Sequence, residues 1–151
     1  MKKINPVYAE RLFHIINTSA FPNHMKMRIK QISIDGSTFE LEPAQFRMQL
    51  FGTIHGGNLA TAIDSATFWA CYFSLENDND GLTSIDLKLN YLAPAFDDLV
   101  SCQGRLIKAG KTISYAEATA VDSKGKILAH GTSTLMRLPG KGLKTGISMF
   151  I

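Results

Sequence analysis

Cysteine is scarce in this chain: Cys71 and Cys102 are the only two among 151 residues. Two cysteines cannot build the disulfide framework on which small secreted domains depend. Cys71 falls in an apolar, helix-like stretch and Cys102 in an alternating, strand-like one. We therefore expect two reduced, buried thiols that behave as small apolar side chains.

Charge of either sign is also sparse. Lysine and arginine number 16 against 13 aspartates and glutamates, and the net charge of +3 is spread without any dense basic run. A nucleic-acid-binding protein would need a basic face or a basic helix, so we expect no nucleic-acid partner. His14, His24 and His130 lack the spacing of metal ligands, and we expect no metal.

Long hydrophobic runs are limited to one segment. The basic start Met1-Lys2-Lys3 is followed by Ile4-Asn5-Pro6 and not by the apolar region of a signal peptide. Residues 57–75 approach the length of a membrane span, which needs about 20 apolar residues. Asp64 lies inside this segment and would cost roughly 2.5–3.5 kcal/mol at the centre of a bilayer. These features predict a buried helix in a cytoplasmic protein without a membrane partner.

The length of 151 residues and a hydrophobic fraction of 45% suit a single domain, here residues 1–151, with a core of its own. Periodicity predicts a first helix at 5–17, strands at 25–34 and 38–41, the apolar helix at 58–75, and strands at 82–92, 99–108, 112–121 and 126–138. The glycine-rich segment after Pro139 is predicted to be a mobile tail.

The apolar helix predicts the architecture. A helix that is apolar nearly all round must be covered on most sides, and a curved antiparallel sheet wrapped around it would achieve this. The fold class is therefore α+β, with a core at about residues 25–138. In the strand at 82–92, strict alternation places Ile85 and Tyr91 toward the helix and Ser84 on the polar face, with Thr83 pointing inward.

The chemical information is concentrated where a loop meets this helix. Gly56 and Gly57 follow His55 at the predicted helix start. Glycines allow close backbone approach and leave N–H groups exposed at a helix terminus that carries partial positive charge. Such a terminus can stabilise a carbonyl oxygen that gains negative charge. Asp64 is the only charged residue in the helix, and a carboxylate there needs partners or a chemical role.

The spacing of these two features has a geometric consequence. Gly56 and Asp64 lie eight residues apart, or about 12 Å along a helix. One carbonyl group cannot contact both, because catalytic contacts are near 3 Å. If both are catalytic, they come from different subunits, and a two-fold dimer has two shared sites.

Three stretches, FGTIHGGNLATAIDSA, SIDLKLNYLAPA and GRLIKAGKTISYAEATAVDSKGKILAHGTSTL, resemble the PaaI-like hotdog-fold acyl-CoA thioesterases, relatives of the 4-hydroxybenzoyl-CoA thioesterases. The resemblance covers about residues 25–138. It implies a hotdog fold, in which the sheet wraps around one long central helix. It also implies a homodimer that pairs through the strands at 82–92, and a further pairing of dimers into a homotetramer.

The resemblance also implies roles for individual residues. Asp64 matches the catalytic carboxylate, and Gly56 matches the glycine whose N–H polarises the thioester carbonyl. His55 shapes the loop, Gln49 matches an Asn or Gln that contacts the carbonyl or the attacking water, and Ser84 matches a water-orienting serine. Asp64 would act as general base or as nucleophile, and the residues leave both open.

An acyl-CoA substrate also brings phosphates that need cations. Lys108 and Lys111 flank the Gly110 turn and are candidates for binding the CoA, together with Gly57. CoA belongs to the substrate, and thioester hydrolysis needs one base or nucleophile and one oxyanion site. We therefore expect no cofactor.

Two other functions remain open at this stage. A hotdog hydratase or dehydratase would place a catalytic histidine with a carboxylate in a different pattern, which this sequence lacks. A non-catalytic acyl-CoA binding or sensing module would keep the cleft but would not require Asp64. The acyl group stays open, because the aromatic residues near Asp64 suit aryl and alkyl chains alike.

Overall fold

One antiparallel sheet and one long helix form most of the structure, a computed structural model that describes residues 2–151. The helices are α1 (Pro6–Thr18), α2 (Ala20–His24) and α3 (Gly56–Tyr72), with a 3-10 turn at Gln45–Arg47. The strands are β1 (Met27–Ile32), β2 (Gly36–Leu41), β3 (Gly81–Tyr91), β4 (Val100–Ala109), β5 (Ile113–Val121) and β6 (Ile127–Leu138).

The sheet has the strand order β1-β2-β4-β5-β6-β3, and every neighbouring pair is antiparallel. Helix α3 contacts all six strands. The predicted α+β architecture, with a sheet around one long helix, is confirmed. Strand β3 pairs only with β6, so it forms one edge of the sheet.

Small residues allow α3 to lie directly on the sheet. Ala62 and Ala66 are fully buried, and a Cβ atom added at Gly104 on β4 would lie 2.2 Å from the carbonyl oxygen of Ala66. The Ser37 hydroxyl of β2 donates a hydrogen bond to the same carbonyl at 2.7 Å. The helix backbone thus contacts the strands without intervening side chains. No helix of residues 2–151 is both long and apolar enough to cross a membrane.

Helix α1 covers the C-terminal half of α3. The side chain of Asn5 caps it by accepting from the Val7 N–H at 3.0 Å, and Pro6 occupies the first turn, as the sequence predicts. The hydroxyl groups of Tyr8 and Tyr72 share a buried hydrogen bond of 2.7 Å. Burial and this bond raise the pKa of Tyr8, so the pair stays neutral and joins the two helices.

The cysteines lie where the sequence places them. Cys71 on α3 and Cys102 on β4 are both free and buried. Burial raises the pKa of the Cys71 thiol to about 12, so it is protonated at neutral pH. Both behave as apolar core residues.

The segment after Pro139 differs from the prediction of a mobile tail. The Thr145 N–H and hydroxyl donate to Asp78 Oδ2 at 2.7 and 2.6 Å. Met149 is 2% exposed, and its carbonyl accepts from the Asn5 N–H at 2.9 Å. The buried Met149 and the Asp78 carboxylate therefore fix the position of this segment, although its glycine content alone favours mobility.

Arg47 is a buried cation close to the start of α3. It is 1% exposed, and within residues 2–151 its guanidinium nitrogens have no hydrogen-bond partner. Burial lowers the pKa of Arg47, while Asp97 and Glu42 act in the opposite direction. An unpaired buried polar group destabilises the folded state.

Replacing Gly104 with alanine should destabilise the protein strongly, because the new methyl group would overlap the Ala66 carbonyl. We expect the free energy of unfolding in urea to fall by about 3 kcal/mol. Gln103→Ala, at the exposed neighbouring position, should change it by about 0.5 kcal/mol or less. Equal stabilities of the two variants would contradict the close packing of α3 on β4.

Arg47→Met should stabilise the protein, because it replaces an unpaired guanidinium with an apolar chain of similar length. We expect a gain in the free energy of unfolding of about 1–3 kcal/mol. The same urea titration measures it. A loss of stability would mean that the guanidinium finds an acceptor in the assembled protein.

Candidate active site

Asp64 lies in the middle of α3 on a half-buried face, and Ser84 of β3 holds its carboxylate. The Ser84 hydroxyl donates to Asp64 Oδ1 at 2.8 Å. Within the described chain, Oδ2 of Asp64 has no hydrogen-bond partner. One carboxylate oxygen is therefore oriented by the serine, and the other is available to a water molecule or a substrate.

A β-bulge explains why Ser84 faces the helix. The pairing of β3 with β6 shifts between Ser84 and Asp86, so β3 contains one extra residue there. Ser84 is paired with Leu135, which is fully buried, whereas Ile85 is 53% exposed. The inward placement of Ile85 and the outward placement of Ser84 were therefore wrong, and Ser84, not Thr83, contacts Asp64.

The start of α3 presents the N–H of Gly56. His55 is the N-cap, and its Nδ1 accepts from the Gly57 N–H at 3.0 Å. In a neutral imidazole, Nε2 then carries the proton. The Asn58 N–H donates to the His55 carbonyl at 2.9 Å, whereas no acceptor for the Gly56 N–H is present between residues 2 and 151. Gly56 thus has an available donor at the positive end of the helix.

These bonds bear on two further predictions. The contact between His55 and Gly57 agrees with a loop-shaping role for His55. The same contact occupies the Gly57 N–H, so this group is not available to a CoA phosphate. That Gly57 takes part in binding the CoA stays a prediction.

A cavity of about 430 Å³ opens beside Gly56. It is lined by Thr53, Ile54, Gly56, Leu59, Tyr91, Leu92, Ala93, Pro94 and Ala95. The Tyr91 hydroxyl donates to the Gly56 carbonyl at 3.1 Å. Sequence reasoning missed this contact, because periodicity treats Tyr91 only as the last inward residue of a strand.

Gln49 lies in the loop before α3, and its amide group is used within that loop. Its Nε2 donates to the Thr53 hydroxyl, and its Oε1 accepts from the Phe51 N–H at 2.9 Å. Gln49 is thus not in hydrogen-bond contact with Gly56 or Asp64. It orders the segment that brings Thr53 to the cavity.

The residues predicted to bind CoA phosphates lie on the exposed turn between β4 and β5: Lys108, Gly110 and Lys111. The turn is tight, since the Gly110 N–H donates to the Ile113 carbonyl at 2.8 Å. Ile113 pairs with Met136 on β6, whereas Tyr91, beside Gly56, pairs with Ala129. These positions are about 23 Å apart along the strand, so one subunit does not bring the lysines to its own Gly56.

These positions lie in a part of the chain that is similar to known sequences. The family model described as Thioesterase superfamily matches residues 51–129, a range that contains Gly56, Asp64, Ser84 and Tyr91. Acyl-coenzyme A thioesterase 13 of Mus musculus is 29% identical over 97 residues, which are 63% of this chain and 68% of the mouse protein. The Caenorhabditis elegans protein F42H10.6 is 32% identical over 92 residues, or 60% of this chain and 53% of the worm protein. The match therefore spans about half the length of the worm relative.

Solved structures show the same fold. The PaaI protein of the phenylacetic acid degradation operon of E. coli superposes with a TM-score of 0.81 at 15% identity, covering 91% of this chain and 98% of its own. A thioesterase family protein from Silicibacter pomeroyi gives a TM-score of 0.80 at 26% identity, covering 88% and 99%. The fold, the matched range and the residues within it lead to one conclusion: this chain belongs to the thioesterase superfamily.

Proposed function

We propose that this protein hydrolyses acyl-CoA thioesters to a free acid and CoA. The observation that carries the proposal is the Asp64 carboxylate, the only charged group of α3, to which the Ser84 hydroxyl donates at 2.8 Å. The same helix begins at Gly56, whose N–H is free, within the described chain, to donate to a substrate. Thioester hydrolysis needs these two elements, because the carbonyl is electrophilic and the thiolate leaves readily. Membership of the superfamily and the similarity to acyl-coenzyme A thioesterase 13 support it.

Hydrolysis can follow either of two routes, which differ in the role of Asp64. As general base, Asp64 takes a proton from water while the water oxygen bonds to the carbonyl carbon. As nucleophile, a carboxylate oxygen bonds to that carbon and forms a mixed anhydride, which water then hydrolyses. In both, the Gly56 N–H donates to the carbonyl oxygen as it becomes negative. The C–S bond breaks, and the CoA thiolate leaves and takes up a proton.

Two subunits are required for this chemistry. Helix α3 is continuous from Gly56 to Tyr72, so Gly56 and Asp64 of one chain lie about 12 Å apart. We propose a homodimer in which the Gly56 of one subunit and the partner's Asp64 act on one carbonyl. The resemblance to PaaI-like proteins extends this proposal to a homotetramer.

The edge strand β3 suits such a dimer. It is 11 residues long, and its outward residue Ile85 and terminal residue Tyr91 are 53% and 55% exposed. A long unpaired edge offers N–H and C=O groups to another strand. Antiparallel pairing of two β3 strands would satisfy these groups around a two-fold axis.

The contacts within one chain indicate the register of that pairing. Tyr91 contacts Gly56 in one half of the site, and Ser84 contacts Asp64 in the other half. Their partners on β6 are Ala129 and Leu135, and the midpoint between these is Thr132, the partner of Lys88. An antiparallel pair that brings Tyr91 beside the partner's Ser84 therefore has its centre near Lys88.

The turn between β4 and β5, which Lys108 and Lys111 flank, then lies near the Asp64 half of the site. Ser84 pairs with Leu135, and Leu135 pairs with Ser114, just after the turn. We propose that Lys108 and Lys111 attract the CoA phosphates of the thioester on which their own subunit's Asp64 acts. The Gly110 turn brings the two lysines to one end of the sheet.

Asp64→Asn should abolish most of the activity, because an amide neither takes a proton nor attacks a carbonyl. Thiol release from phenylacetyl-, benzoyl-, short-chain and long-chain acyl-CoA measures it, and we expect kcat to fall about 100-fold or more. Glu10→Gln, an exposed carboxylate change on α1, should match the parent. Equal activity of Asp64→Asn and the parent would overturn the role of Asp64. An inert parent that binds acyl-CoA would indicate a binding module instead.

Lys88→Cys should form a covalent dimer under mild oxidation, because the proposed register puts the two introduced thiols opposite each other. Lys30→Cys, on the other edge strand β1, should stay uncross-linked on the same non-reducing gel. The native thiols are buried and do not compete. A monomeric Lys88→Cys protein, or equal cross-linking of both variants, would contradict pairing through β3.

A further inference from the structure

Tyr91 contacts Gly56 in two ways. Its hydroxyl donates to the Gly56 carbonyl at 3.1 Å. Its ring lies against the glycine: a Cβ added at residue 56 would be 3.0 Å from Cε1 and Cζ of Tyr91 and 3.2 Å from its hydroxyl oxygen. The end of β3 is thus joined directly to the first residue of α3.

The other restraints on Gly56 come from its neighbours in the chain. It carries no side chain, and no group of the described residues accepts its N–H. The Asn58 N–H and side-chain amide donate to the His55 carbonyl at 2.9 and 3.1 Å, and the Gly57 N–H donates to His55 Nδ1. The peptide that carries the Gly56 N–H is therefore held on its His55 side. A donor that stabilises a transition state must be held within about 0.5 Å of its productive place.

We propose that Tyr91 is a positioning residue, which holds the Cα and carbonyl of Gly56 in place so that the N–H of this residue stays directed at the thioester oxygen. This inference rests on the proposed function. The hydroxyl holds the Gly56 carbonyl, and the ring prevents the glycine from moving toward β3. The Gly56 N–H belongs to the planar His55–Gly56 peptide, whose carbonyl is held by Asn58. The contacts of Tyr91 with the Cα and carbonyl of Gly56 restrain the same residue from its other side.

The same contact disfavours a side chain at residue 56, because the Tyr91 ring would have to shift. The space that a side chain would occupy is filled by the tyrosine ring, so Gly56 and Tyr91 form a matched pair. Within one subunit Tyr91 is 55% exposed, and Tyr91→Phe removes only its hydroxyl and keeps the ring that packs on Gly56. Its effect on catalysis can therefore be measured separately from its effect on stability.

Tyr91→Phe tests the hydroxyl while keeping the ring. We expect kcat for acyl-CoA hydrolysis to fall about tenfold, with KM within about twofold and the melting temperature nearly unchanged, because the lost bond orients a donor used in the transition state. Tyr115→Phe is the matched control. Tyr115 lies on β5, is 39% exposed, and its hydroxyl has no hydrogen bond to the described residues. It should match the parent in kcat.

A double variant distinguishes positioning from an independent role. Gly56→Ala brings a methyl group against the Tyr91 ring and should itself lower kcat. If Tyr91 acts through Gly56, adding Tyr91→Phe to Gly56→Ala should cost little more, whereas independent effects would multiply.

Three outcomes would overturn the proposal: a parent-like kcat for Tyr91→Phe, a change confined to KM, or multiplicative effects in the double variant. In an active parent, these results leave thioester hydrolysis standing and remove only the role of Tyr91. A parent inert toward every thioester would remove both.

Discussion

The close approach of α3 to the sheet is the constraint on which the rest of the structure depends. Gly104 leaves no side chain between β4 and the Ala66 carbonyl, and Ser37 donates to that carbonyl at 2.7 Å. Because alanines and this glycine pack one face of the helix so tightly, its one charged residue must lie on another face. Asp64 is thereby left on the half-buried side, where Ser84 reaches it.

The division of the proposed site between two subunits follows from the rigidity of the same helix. An oxyanion donor at the first turn and a carboxylate two turns later cannot converge on one carbonyl within a single chain. Edge strand β3 contacts both positions, through Tyr91 at one end and Ser84 at the other. One strand therefore supports both halves of the chemistry and also offers the edge through which a second copy can complete it.

The candidate site was predictable to the extent that its residues carry local signals. Gly56 is recognisable from its place at a helix start, and Asp64 from its charge in an apolar helix. Tyr91 carries no such signal, because its contact with Gly56 joins residues 35 positions apart. For Gln49 the resemblance implies a substrate contact, which stays a prediction, and the tertiary structure adds that its amide bonds to Thr53 and Phe51 in its own loop.

The sequence by itself determined the α+β class, the central helix and the 12 Å spacing, because these follow from periodicity and helical rise along the chain. Only the tertiary structure decided that Ser84 faces Asp64, since a bulge in β3 shifts the alternation that the sequence displays. It also decided that the segment after Pro139 is packed, because its partners Asp78 and Asn5 are remote in sequence. Local patterns record what each segment favours, whereas contacts between distant segments depend on how the chain is folded together.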